Sequence, residues 1–132
     1  MKKIAYFDVL NGCAGDMIVG SLIDAGLDIK VLEEELKKLN LENFKLEVKK
    51  VKRKNNWGHI IEGTQFLVIP TGKWDDETPY FKIVKIIEES TFRINIKEKI
   101  LKIFDILADS ESKVHKIKKE KLHLHQVGQI DA

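Results

Sequence analysis

The spacing of apolar residues changes several times along the chain, and each change marks an element. Ile4 to Val9 is mostly apolar, with Tyr6, Phe7 and Val9 favouring extended backbone, and predicts a short buried strand over 4–9. It runs into Asn11-Gly12-Cys13-Ala14-Gly15, a tight glycine loop. Asp16 opens a helix over 16–25, and Gly26 is placed to stop it. Asp28 is placed to cap a second helix over 29–39, with Leu32, Leu36 and Leu39 as its apolar stripe. Glu33, Glu34, Glu35, Lys37 and Lys38 form the solvated side of that helix. Phe44, Leu46 and Val48 alternate with Lys45, Glu47 and Lys49, which predicts a strand over 44–54. Val51 breaks the alternation and marks a bulge or register change near Lys49-Lys50. Asn55-Asn56-Trp57-Gly58 is a turn, and a second strand over 59–69 ends at Pro70, so the two make a hairpin.

The stretch from Thr71 to Thr78 is polar and reads as a loop. Thr78-Pro79 is a helix start, a capping hydroxyl followed by a first-turn proline. The helix over 79–90 carries Ile83, Ile86 and Ile87. Asn95 and Glu98 have capping-box spacing. The helix that follows, over 96–115, places Ile96, Ile100, Ile103, Leu107 and Val114 on one face. Beyond Ile117 the pattern degrades, and Leu122 to Gly128 is extended or loop. The sum is an α+β fold: a small mixed sheet from strands 4–9, 44–54 and 59–69, with four helices packed on it. No internal repeat or linker divides the chain, so residues 1–132 are expected to form a single domain.

Composition narrows the function classes without choosing one. The chain has 132 residues, 23 basic and 21 acidic, for a net charge of +2. That balance gives no ground for a nucleic-acid or membrane-surface partner. Cys13 is the single cysteine, so no internal disulfide can form, which fits a reducing compartment. Met1-Lys2-Lys3 before an apolar run imitates a signal peptide, but Asp8 interrupts the run too early. No apolar run approaches the roughly 20 residues a membrane helix needs. A cytoplasmic location is expected.

Three clusters carry candidate chemistry. The first is Asp8, Gly12, Gly15 and Asp16, delivered by a strand and leaving through a helix. Glycines let backbone amides approach a ligand, the helix N-terminus favours an anion, and two carboxylates suit a cation such as magnesium. The same pattern also describes a plain strand-to-helix turn capped by Asp16. The second is His123-Leu124-His125, whose imidazoles point to one side of an extended backbone and suit nickel or zinc, with Asp131 adding a carboxylate. The same two residues also read as exposed polar positions near a chain end. The third is Lys49-Lys50-Val51-Lys52-Arg53-Lys54, a run that suits phosphate or RNA and equally protects an edge strand from aggregation. With 21 lysines and two arginines in the chain, the protective reading is the expected one. Cys13 has no adjacent histidine to activate it as a nucleophile.

Tyr6-Phe7-Asp8 followed by Gly12-x-x-Gly15-Asp16-Met17 resembles the opening of the LarC family, nickel-insertion proteins for the nickel-pincer cofactor of lactate racemase. At the far end, His123-Leu124-His125-Gln126-Val127-Gly128-Gln129-Ile130-Asp131 is similar to the family segment His-x-His-Glu-Val-Gly-x-x-Asp-Ser. The resemblance spans the chain but only the N-terminal part of the family's longer sequence. It implies an enzyme that places nickel into pyridinium-3,5-bisthiocarboxylic acid mononucleotide. Magnesium or manganese with CTP is associated with the C-terminal domain, which this chain is expected to lack. It implies His123, His125 and Asp131 as nickel positions, and Asp8, Gly12, Gly15 and Asp16 as positions facing the mononucleotide phosphate or a magnesium ion. No catalytic residue is assigned. A separately encoded C-terminal polypeptide and a homo-oligomer are the expected partners.

Two departures from the family pattern matter. Gln126 stands where the family has glutamate, and Ala132 where it has serine. Asp75-Asp76-Glu77-Thr78-Pro79 is acidic where the family tends to be rich in histidine and arginine. These leave a second functional class open, a non-catalytic metal-binding accessory or inactive truncated paralogue.

Overall fold

A computed structural model describes residues 4–9, 12–54, 57–72 and 78–124. In chain order the elements are helix α1 (Gly15–Asp24), helix α2 (Ile29–Leu36), strand β1 (Phe44–Lys54), strand β2 (Ile60–Pro70), strand β3 (Thr78–Pro79), helix α3 (Tyr80–Glu89), helix α4 (Ile94–His115) and strand β4 (His123–Leu124). Short 3-10 turns cover Lys37–Leu39 and Lys119–Lys121. Strands pair β1 with β2 and β3 with β4, so the fold is α+β with two small antiparallel pieces. The sheet is smaller than the sequence pattern suggests. Residues 4–9 form no strand, and Ile4 and Tyr6 stand almost fully exposed. Apolar, β-prone composition prepares a segment to pair but supplies no partner edge, and pairing is a tertiary event.

The residues fall into two compact units, 1–27 with 48–67 and 28–47 with 68–132. In the first unit α1 lies against β2. Gly20 is buried, and a Cβ there would stand 2.7 Å from the Thr64 carbonyl oxygen and 3.5 Å from the Phe66 amide nitrogen. Only glycine permits that approach of helix to strand backbone. At the C-terminal end of α1, the Asp24 carboxylate accepts hydrogen bonds from Lys50 Nζ and Thr64 Oγ1. The helix then stops as its sequence predicts. The Gly26 N–H donates to Ile23 O at 3.0 Å and the Leu27 N–H to Leu22 O at 2.9 Å, with Gly26 at φ +107°. This is the Schellman closure, which needs a residue tolerant of positive φ.

In the second unit Ala108, Leu122 and Leu124 form the buried centre, packed by Tyr80, Ile83, Phe104 and Leu107. Asp28 caps α2 by accepting from the Lys30 N–H at 2.9 Å. The Thr91 N–H donates to Lys38 O at 3.0 Å, tying the α3–α4 connection to the turn after α2. Two expected helix starts are different in detail. Helix α3 begins at Tyr80, with Thr78 drawn into β3 and its hydroxyl buried without a hydrogen-bond partner among the described residues rather than capping. Helix α4 begins two residues early, at Ile94 with Arg93 as N-cap, so Asn95 and Glu98 form no capping box. The apolar stripe expected on α4 is only partly used. Leu107 packs on the core, while Ile103 and Val114 are exposed and Ala108 takes the most buried position.

Candidate functional site

The glycine loop is closed by backbone geometry. The Gly12 N–H donates to Val9 O at 3.0 Å, and Gly12 itself has φ +105°, a conformation that side chains disfavour. Helix α1 then starts at Gly15, one residue earlier than expected, with Ala14 as an N-cap that has no side-chain acceptor. Asp16 is therefore not the cap. It sits inside the first turn, where its Oδ1 accepts from the Met17 N–H at 2.8 Å. A carboxylate there complements the positive end of the helix. Among the described residues, nothing accepts from the amides of Gly15 and Asp16. Among the described residues, a Cβ on Gly15 would meet no atom within 4 Å, and its φ is not positive. Neither packing nor backbone conformation therefore calls for glycine at position 15, in contrast with Gly20. Asp8 and Asp16 are both exposed, as is Cys13.

His123 is held by the opposite strategy. Leu122 and Leu124 are 2% and 1% exposed, and the residue between them turns outward. In β4 it pairs with Pro79, and Leu124 pairs with Thr78. The Tyr80 N–H donates to Leu122 O at 3.0 Å, so the start of α3 anchors the strand directly. Just upstream, Lys119 Nζ lies 2.5 Å from Asp105 Oδ1 and 2.7 Å from Asp109 Oδ1, and 5.7 Å from the centre of the Tyr80 ring. The Tyr80 hydroxyl donates to the same Asp105 oxygen at 2.9 Å. Hydrogen bonds from Lys119 and Tyr80 hold the Asp105 carboxyl below its usual range. The bonds to Asp105 and then Asp109 push Lys119 up, and burial followed by the Asp105 bond pushes Tyr80 up. This cluster pins the segment leading to His123 onto α3 and α4. Its residues were not legible as a group, because they come from three distant stretches. The i, i+4 spacing of Asp105 and Asp109 was the one available signal.

Asp8, Gly12, Gly15 and Asp16 belong to the first compact unit and His123 to the second. His125 and Asp131 lie outside the described residues. Among the described residues, no three His, Cys, Asp or Glu side chains are grouped so as to hold a metal ion. Within the lysine run, Lys50 is engaged by Asp24 and Thr64 and Lys52 by Glu62 at 2.6 Å. These pairs occupy cations that a phosphate backbone would need. Among the described residues, no helix is long and apolar enough to cross a membrane.

Comparison with known proteins gives these motifs a context. The profile of the family described as "Nickel insertion protein" matches residues 5–132. A Geobacter sp. (strain M21) protein whose name assigns it to nickel insertion is 42% identical over 130 residues, covering 98% of this chain and 32% of its own length. A protein of Acetivibrio thermocellus named pyridinium-3,5-bisthiocarboxylic acid mononucleotide nickel insertion protein is 38% identical over 138 residues, covering 98% of this chain and 33% of its own. The Thermotoga petrophila protein of the same name is 38% identical over 139 residues, covering 100% and 34%. No solved structure matches this chain. The chain spans about a third of the length of the relatives it matches. With nearly every residue inside the matched region, the chain belongs to the nickel insertion protein family.

Proposed function

We propose that this chain is the part of a nickel-insertion enzyme that presents the metal, nickel being the cargo placed into pyridinium-3,5-bisthiocarboxylic acid mononucleotide. The observation that carries the reading is the family match over residues 5–132, which runs from the glycine loop through the histidine motif. His123 and His125 supply the two imidazoles, and Asp131 adds an oxygen. Imidazole suits nickel, and a site with few ligands releases what it binds. The exposed His123 on an anchored strand is consistent with that role, since a donor must meet its acceptor at the surface. Asp8, Gly12, Gly15 and Asp16 face the mononucleotide. The amides opening α1 are suited to its phosphate, and the two carboxylates to a magnesium ion beside it. The remaining steps, including any that use CTP with magnesium or manganese, fall to the part of the relatives' length that this chain does not span. The protein works in the cytoplasm and as a homo-oligomer.

Calorimetric titration with nickel tests the metal role. The wild-type chain is expected to bind with micromolar affinity, and His123→Ala with His125→Ala to weaken binding at least tenfold. Wild type that takes up no nickel above micromolar concentrations would end the reading. A second reading, a non-catalytic metal-binding accessory, is favoured by Gln126 standing where the family pattern has glutamate. Nickel binding without metallation of the mononucleotide, even when the rest of a relative is supplied, selects it.

A further inference from the structure

Both backbone groups of Leu122, the residue before His123, are engaged. Its N–H donates to Lys119 O at 3.1 Å, and its carbonyl accepts from the Tyr80 N–H at 3.0 Å. The side chains of the same two partners meet again at Asp105, whose Oδ1 lies 2.5 Å from Lys119 Nζ and 2.9 Å from the Tyr80 hydroxyl. Leu122, Lys119, Asp105 and Tyr80 therefore form a closed circuit of hydrogen bonds, through backbone on one side and side chains on the other. Asp109 Oδ1, 2.7 Å from Lys119 Nζ, holds the ammonium from a further direction. Tyr80 also follows Pro79, the residue paired with His123. The circuit thus fixes the residue before His123 on one strand and the residue after its partner on the other. Burial of Leu122 and Leu124 already stabilises this strand. Ion pairs with carboxylates as exposed as Asp105 and Asp109 add little to stability, and holding a lysine in one rotamer costs entropy. What the circuit adds is direction, the path by which the backbone enters His123.

We propose that Lys119, with Asp105 and Tyr80, is a positioning residue for nickel, because the circuit they close sets the direction in which the His123 imidazole is presented. The three side chains act through the backbone of Leu122 and are not ligands. A ligand keeps its geometry only where the shell that supports it is also fixed. Charge alone predicts the opposite sign. Removing the Lys119 ammonium leaves two carboxylates unpaired, which favours a divalent cation nearby. The inference rests on the reading of His123 as a nickel position.

Nickel titration of the whole chain tests the proposal in three variants. Lys119→Met keeps the stem and removes the ammonium, Tyr80→Phe removes only the hydroxyl, and Lys119→Arg retains a cation that bridges carboxylates. Lys119→Met and Tyr80→Phe are expected to weaken nickel binding at least about threefold, with Lys119→Arg close to wild type. Lys37→Met, which breaks the exposed pair with Glu34 in the same unit, should leave binding unchanged. Hydrogen exchange at the Leu122 amide should quicken in Lys119→Met while the urea midpoint moves little. Nickel affinity that is unchanged or raised in Lys119→Met overturns the proposal, as does a loss that Lys119→Arg fails to recover. A loss of affinity that comes only with a large fall in the urea midpoint overturns it too, because the role is then structural. Wild type that takes up no nickel is failure of the metal reading itself, whereas wild-type uptake with unaltered variants is failure of this inference alone.

Discussion

His123 stands between two leucines that are 2% and 1% exposed, whereas the loop carrying Asp8 and Asp16 is preceded by Ile4 and Tyr6, which face solvent. The strand with the histidine is tied to α3 by a backbone hydrogen bond and to α4 by the Lys119 cluster. In the glycine loop, among the described residues, the Gly12 N–H bonds to Val9 O ahead of the start of α1. Two motifs of one family thus use different physics. One is anchored in a core, and the other is a loop in which the Gly15 and Asp16 amides have no acceptor among the described residues. A metal ligand gains from a fixed post, since geometry sets its affinity. A cradle for a phosphorylated ligand gains from amides that are left unsatisfied until the ligand arrives.

Breaking the post should have the largest effect. Leu124→Ala is expected to cost about 2–5 kcal/mol, the range for deleting a buried leucine side chain, and to weaken nickel binding with it. Urea denaturation measures the first and calorimetry the second. Intact stability would contradict the account of how β4 is held. Next is the landing of α1 on β2. Gly20→Ala places a methyl 2.7 Å from the Thr64 carbonyl and is expected to cost about 1–3 kcal/mol. A variant as stable as wild type would mean that α1 does not approach the strand this closely.

Smaller effects separate the ion clusters of the two units. The carboxyls of Asp24 and Asp105 are both held below their usual range, by Lys50 with Thr64 and by Lys119 with Tyr80. A carboxyl whose folded-state pKa is depressed contributes stability that is fully present above its unfolded value, about 4. That stability is lost as pH falls through the folded value. The urea midpoint should therefore drop from pH 4 downward, and Asp24→Asn and Asp105→Asn should each flatten the drop. An unchanged slope in both variants would remove these clusters from the account. The groups are exposed, so the effect is modest.

The smallest expected effect is the sharpest for the cradle. Gly15→Ala meets no atom within 4 Å and should change stability by less than about 0.5 kcal/mol. It should nonetheless weaken binding of the pyridinium mononucleotide. Unaltered binding would show that position 15 is not approached by the ligand.

The sequence was most informative where local rules decide the outcome. The strand 44–54 begins and ends at Phe44 and Lys54, the Asp28 cap forms, and Gly26 closes α1. It was least informative where a distant partner decides. Residues 4–9 have strand composition but pair with no strand among the described residues. The α4 stripe mixed residues of two surfaces, since Ile103 and Val114 share the hydrophobicity of Leu107 without sharing its neighbours. Gly20 gave a usable hint, because glycine inside a helical pattern is costly unless something must come close. Of the candidate site, the loop and His123 were legible as residue types at given spacings. How each is held was not, because Leu122, Tyr80 and Lys119 act through tertiary contacts.

The central claim is that His123 and His125 hold the nickel, and X-ray absorption at the nickel edge of the loaded chain tests it most directly. The chain has four histidines, the other two being His59 and His115. The account predicts a two-imidazole scattering signature that disappears in His123→Ala with His125→Ala and persists in His59→Ala with His115→Ala. A signature that survives the first pair and vanishes with the second would contradict it.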